Sequence, residues 1–203
     1  MIGSDGSSDA AWEESLRANP YELRSWLEYL KLKADLPLVK RCIIYERGLS
    51  SLPRCYKLWA LYLEERTLHL ARRSIGDKRN ATLIDTYERA LVHMGKMPRM
   101  WINYCKLLIH LKKGTATRKA FDRALRALPV TQHEELWGVY VEWARTFGVP
   151  ETGKAVLRRY LMFEPCYRET YIEWCLEHGE VVEAIRQLNV LVDSKSSSDV
   201  EVG

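Results

Sequence analysis

Tryptophan returns at a nearly constant interval along this chain, at Trp26, Trp59, Trp101 and Trp137, with Tyr171 in the fifth place. The steps are 33, 42, 36 and 34 residues. Each is followed at i+3 by a second aromatic, giving Tyr29, Tyr62, Tyr104 and Tyr140, and Trp174 after Tyr171. On a helix that spacing puts both rings on one face. A period of this length is one helix pair, which cannot bury its apolar face alone and must stack on copies of itself.

A second signature lies about twenty residues beyond each tryptophan. It reads Tyr45-Glu46-Arg47-Gly48-Leu49, Tyr87-Glu88-Arg89-Ala90-Leu91, Phe121-Asp122-Arg123-Ala124-Leu125 and, more loosely, Leu157-Arg158-Arg159-Tyr160-Leu161. Prolines at 53, 98, 129 and 165 close the units. Proline lacks an N–H and suits a turn or the first position of the next helix, so it separates pairs without breaking either member. The clearest unit runs from Lys96 to Pro129.

These patterns predict an all-α fold, a right-handed α-solenoid of about five helix pairs over residues 10–192. The repeats fall at about 21–53, 54–98, 99–129, 130–165 and 166–192. A half-repeat precedes them, with Asp9 as N-cap and Trp12 and Leu16 on one face. Residues 1–9, rich in Gly, Ser and Asp, and residues 193–203 are expected to be disordered. In the last unit Val182, Ile185, Leu188 and Leu191 are the apolar positions, and that pair would show an apolar face to water unless something covers it.

With 203 residues and 47% hydrophobic content the chain can bury a substantial core. The net charge of +4 is too slight to imply nucleic acid. No apolar run approaches the ~20 residues of a membrane span, and the first nine residues lack the apolar region of a signal peptide. Five cysteines without a C-x-x-C pair fit buried thiols in a reducing compartment. The sequon Asn80-Ala81-Thr82 is then a chance match.

No catalytic constellation emerges. The five histidines fall in different repeats, and no spacing gathers the about four ligands that zinc needs. No phosphate loop or nucleophile motif is present. The pairs Glu46-Arg47, Glu88-Arg89 and Asp122-Arg123 recur in successive units, and a packing rule repeats whereas a catalytic site is singular. They are assigned to polar links between adjacent helices. The aromatics Trp26, Tyr29, Tyr45, Trp59, Tyr62, Tyr87, Trp101, Tyr104, Phe121, Trp137, Tyr140 and Trp174 are assigned to inter-helix packing. The chain is read as a non-enzyme without cofactor, metal or small-molecule substrate.

The second unit is longer by eight or nine residues between Glu65 and Ala81. That segment carries Arg66, Arg72, Arg73, Lys78 and Arg79 against one acid, Asp77. Insertions in repeat arrays often project from the binding face. Together with Lys112, Lys113, Arg118 and Lys119 these cations are the candidates for partner or RNA contact. The competing reading is a solvated extension of the first helix followed by a loop.

Trp-x-x-Tyr on the first helix, aromatic-acid-Arg-Ala-Leu on the second and a closing proline resemble the half-a-TPR (HAT) repeat of RNA-processing proteins, over about residues 12–192. The strings EESLRANPYELRSWLEYL, YKLWALYL, HMGKMPRMWINYCKLL and TRKAFDRALRALPVTQHEELW are similar to the N-terminal part of the Syf/XPA-binding-protein family of pre-mRNA splicing factors. The resemblance implies a nuclear scaffold that holds proteins of the nineteen-complex and intron-binding part of the spliceosome, with a further family role in transcription-coupled repair. It also implies a longer protein, of which this chain is a fragment or short form. Gly48 for Ala, Arg158 for the acid and Tyr171 for Trp depart from the pattern and weaken the first and last two repeats. The alternatives are direct RNA binding through the basic insertion, and a TPR-like peptide-binding adaptor. The latter needs Lys, Arg and Asn converging on neighbouring first helices, and no such recurring set is visible.

If the tryptophans are core residues, Trp101→Ala costs roughly 3–5 kcal/mol by emptying a buried site. Denaturant titration checks this, and a loss under about 1 kcal/mol would mean that the ring is exposed.

Overall fold

The computed structural model describes the backbone of residues 5–200 and the side chains of residues 9–193. Among them are eleven α-helices and two short 3-10 turns, and no strand. The chain divides into two compact units, residues 1–111 and 112–203. The first holds α1 (Asp5–Ala18), α2 (Leu23–Leu32), α3 (Leu38–Ser51), α4 (Tyr56–Ala71), α5 (Arg79–Met94) and α6 (Pro98–His110). The second holds α7 (Gly114–Ala127), α8 (His133–Thr146), α9 (Pro150–Phe163), α10 (Arg168–Glu177) and α11 (Val181–Val200). The unit predicted at 99–129 thus gives α6 to the first body and α7 to the second. Within each body every helix packs on the one before it and the one after it in sequence.

Local chemistry sets the boundaries. Pro98 and Pro150 open α6 and α9, where a missing N–H costs nothing. Pro20 and Pro53 act differently: their carbonyls accept the indole N–H of Trp26 and Trp59 at 2.9 Å, six residues on. Gly95 plays the same part for Trp101 at 2.9 Å. A carbonyl left over where one helix stops is thereby satisfied by the ring that opens the next core layer.

The two ends differ from the sequence reading. Helix α1 begins at Asp5, within the stretch expected to be disordered, so Asp9 lies inside the helix and is no N-cap; its carboxylate pairs with Lys33 instead. The expectation for residues 1–4 lies outside the described residues. At the other end α11 continues past 193 to Val200, since neither proline nor glycine interrupts 181–200. Residues 201–203 are again outside the described residues. In α11 the buried face is Glu183 and Ala184, whereas Val182 is 76% and Ile185 52% exposed, with Leu188 exposed as well. Of the cysteines only Cys105 and Cys175 are buried; Cys166 is exposed.

The extra residues of the second unit lengthen α4 to 16 residues, against 10 in α2, and form a loop at 72–78. Asn80 fastens that loop, donating from its amide to the carbonyls of Ile75 at 2.9 Å and Ser74 at 3.3 Å. Its side chain is turned inward and buried, which suits the sequon poorly for glycan attachment.

Two glycines lie close against a tryptophan ring of a neighbouring helix. A Cβ on Gly153 would lie 2.6 Å from the Trp174 ring and 3.0 Å from the Ala144 carbonyl oxygen. At Gly48 the added atom would be 3.3 Å from Trp26, so the departure from alanine there lets the indole settle against α3. Gly153→Ala is expected to destabilise the chain by about 1–3 kcal/mol through overpacking. A thermal or denaturant midpoint equal to that of the parent would contradict this packing.

Candidate functional site: a carboxylate ladder between helices

The recurring aromatic-acid-Arg motif sits on α3, α5 and α7, and its members face different neighbours. Tyr62 on α4 donates its hydroxyl to Glu46 on α3 at 2.8 Å, and Tyr104 on α6 donates to Glu88 on α5 at 2.6 Å. In the second body Tyr140 on α8 reaches Asp122 on α7 at 3.5 Å, the long end of the range. The aromatic before each acid stacks on the same tyrosine. Ring centroids are 5.0 Å apart for Tyr45–Tyr62, 5.6 Å for Tyr87–Tyr104 and 4.2 Å for Phe121–Tyr140.

Glu46 and Asp122 also take an arginine from the second helix of the next pair. Arg89 donates to both oxygens of Glu46 at 3.0 and 2.5 Å, and Arg159 to Asp122 at 2.5 Å. The same guanidinium lies over the tryptophan between them, 5.9 Å for Arg89 over Trp59 and 5.8 Å for Arg159 over Trp137. Adjacent residues of one motif therefore point opposite ways along the stack: Glu46 binds forward to Arg89, and Arg47 binds backward.

Arg47's partner was missed in the sequence. Glu13 on α1 accepts both of its guanidinium nitrogens at 2.8 and 2.7 Å and the Tyr29 hydroxyl at 3.0 Å. The signal was there: Trp12-Glu13-Glu14-Ser15-Leu16 has the aromatic, acid and leucine of the motif, with Glu14 in place of arginine. By that pattern α1 matches the second helix of a pair.

The last pair reverses the chemistry. Arg158 stands in the acid position of α9 and binds Glu183 on α11, with its Nε at 2.8 Å. Glu183 is 4% exposed and also accepts from Arg186 at 3.0 Å and Gln187 at 3.0 Å. The departure at Arg158 is a charge swap that preserves a polar link. Trp174 takes the tyrosine place of the last unit; its Nε1 is buried without a partner, as is the Tyr167 hydroxyl, and both residues line a groove of about 420 Å³ between α8 and α10.

Not every predicted cation is available. Arg66 donates to Thr82 at 3.0 Å and Thr86 at 2.5 Å and lies over the Tyr62 ring. Arg79 pairs with Asp77 at 2.7 Å. Arg72, Arg73 and Lys78 are exposed around the loop, and Lys112, Lys113, Arg118 and Lys119 are exposed in the second body. The motif cation Arg123 lies on α7, also exposed. Among the described residues no group of three or more His, Cys, Asp or Glu could hold a metal, and no helix is long and apolar enough to cross a membrane.

Partnering shifts proton affinity. Arg158 beside Glu183 holds its carboxyl down to about 2, and Arg47 does the same for Glu13. Burial, with the bond to Glu13, pushes the Tyr29 hydroxyl up to about 12. A carboxylate depressed on folding contributes stability that is whole above its ordinary 4.5 and disappears as the pH falls toward 2. Glu183→Gln should therefore cost about 2 kcal/mol at pH 7, after allowance for the half-exposed Arg158. It should cost little near pH 2. Urea titrations at the two pH values check this, and equal losses at both would contradict it.

Comparison with known proteins gives a consistent picture. The family described as pre-mRNA-splicing factor Syf1/CNRKL1 N-terminal HAT repeat matches residues 8–166. The chain is 42% identical over 187 residues to pre-mRNA-splicing factor SYF1 of Dictyostelium discoideum, covering 92% of this chain and 22% of that protein. It is 37% identical to human SYF1 with the same coverage. It is 37% identical to fission yeast cwf3 over 202 residues, covering 96% of this chain and 25% of that protein. The chain spans about a fifth to a quarter of the length of these curated relatives.

Proposed function

Because the chain belongs to the Syf1/CNRKL1 N-terminal HAT-repeat family, we propose that it is a non-catalytic scaffold segment acting in pre-mRNA splicing in the nucleus. Its partners on this reading are proteins of the nineteen-complex and intron-binding part of the spliceosome, and a role in transcription-coupled repair is a further family function. The supporting observation is the ladder. Acid, arginine, tyrosine and tryptophan are engaged with neighbouring helices, so the residues that recur have structural partners and the broad helix surfaces are left to bind. In such an array, binding rests on the area of an extended surface more than on one residue.

Direct RNA binding is the weaker alternative, because Arg66 and Arg79 of the basic insertion have internal partners. The test is purification of the tagged chain from nuclear extract with and without nuclease. Splicing proteins that persist after nuclease are the expected result. Their loss on nuclease would shift the assignment to RNA, and their absence in both samples would overturn the splicing role.

A further inference from the structure

A groove of about 540 Å³ in the first body lies between α4 and α6, with the loop at 72–78 at one end. That volume is within the ~300–1,000 Å³ of ligand-binding clefts. One wall is a single stripe of α6: Arg99, Asn103, Lys106 and His110, spaced four, three and four residues apart. The facing stripe of α4 includes Tyr56, Ala60, Glu64 and Thr67. The floor is apolar, with Leu70, Ile75, Tyr87 and Leu107.

The charge is one-sided. Arg73 reaches the groove from the loop, so three cations face one acid, Glu64. Helix α6 contains no Asp or Glu at all, and no acid stands at i±3 or i±4 of Arg99 or Lys106 to neutralise them along the helix. Arg73, Arg99 and Lys106 are exposed. None of their side chains makes a hydrogen bond or ion pair among the described residues, in a protein whose motif acids and arginines are otherwise paired.

We infer that this groove binds an extended acidic segment of a partner protein, its carboxylates meeting Arg73, Arg99 and Lys106 and its apolar side chains resting on the floor. The stripe from 99 to 110 rises ~16 Å along α6, the length of about five residues of extended chain. Asn103, in the middle of it, offers both an N–H donor and a carbonyl acceptor, which matches a peptide unit. RNA fits less well. Single strands need successive aromatic platforms, and here Tyr56 is the partly exposed ring while Tyr87 is buried. Glu64 would also stand against a phosphate backbone. Neighbouring first helices with Lys, Arg and Asn converging are what a peptide adaptor requires. Here one groove supplies them without a set that recurs along the chain.

The inference deepens the scaffold reading by naming the chemistry of one partner, and it rests on that reading in taking the ligand to be a protein. A display library of random octapeptides, selected on the 203-residue chain, tests it. The expected peptides carry at least two Asp or Glu together with apolar residues, and synthetic copies should bind the double variant Arg99→Glu, Lys106→Glu at least 10-fold more weakly. Lys31→Glu on α2, exposed and outside the groove, should bind them as the parent does. Both altered residues are exposed and unpaired, so an unchanged helical melting curve separates lost binding from lost folding. Selection without acidic enrichment, no selection at all, or equal binding by the double variant overturns the proposal. So does a uridine decamer that binds more tightly than the peptides and is lost in the same variant. These ratios do not depend on a splicing role. Failure here leaves the scaffold reading to other surfaces, and failure of the nuclear-extract test leaves this groove standing.

Discussion

A carboxylate drawn partly out of water must be given partners, or it costs the fold more than the packing around it returns. Glu46 sits at that balance, accepting Tyr62 from the next helix and Arg89 from the one after. Because the bonds join three successive helices, forming one requires the relative placement that the other two need. The tyrosine ring stacks on the preceding pair and the arginine covers the tryptophan, so polar and apolar contacts specify the same spacing. An isolated surface ion pair would contribute little. Shared with a buried tyrosine hydroxyl, the same carboxylate becomes a connector.

This arrangement explains why sequence neighbours in the motif do not pair with each other. Glu46 and Arg47 are adjacent, yet one looks forward along the stack and the other back to Glu13. Helix α3 is thereby both an acceptor for α5 and a donor to α1. Helix α1 breaks the alternation, with Glu14 where the arginine would be, and so offers an acid forward and no motif cation backward. At α9 and α11 the charges are exchanged, which keeps the link while changing the residues that carry it.

Much of this was legible beforehand. The Trp-x-x-Tyr and aromatic-acid-Arg patterns identify the helix pairs because packing in a repeat array is local, and a local rule leaves a periodic trace. Glu13 was legible in principle but lay outside the proline-framed units. Glu183 was not, since a motif reading looks for the same residue at the same place, and Arg158–Glu183 is a compensation between two places. The apolar residues of α11 misled for a related reason: Val182 and Ile185 look like a core face, while Glu183 and Ala184 are the ones buried. The groove between α4 and α6 combines a visible feature, a helix without acids, with an invisible one, the folding of the inserted loop against its end. Only the second decides that Arg73 joins Arg99 and Lys106.

Family membership and the ladder bear on function in different ways. The relatives point to splicing, and the ladder gives the recurrent charged and aromatic residues structural partners. Coupling across a single rung tests this account most directly: a double-mutant cycle of Glu46→Ala and Tyr62→Phe, followed by urea titration of all four proteins. A hydrogen bond to a charged, partly buried carboxylate predicts a coupling of about 1–2 kcal/mol. A value below about 0.3 kcal/mol would mean that the two residues act independently and that apolar packing alone joins the helix pairs.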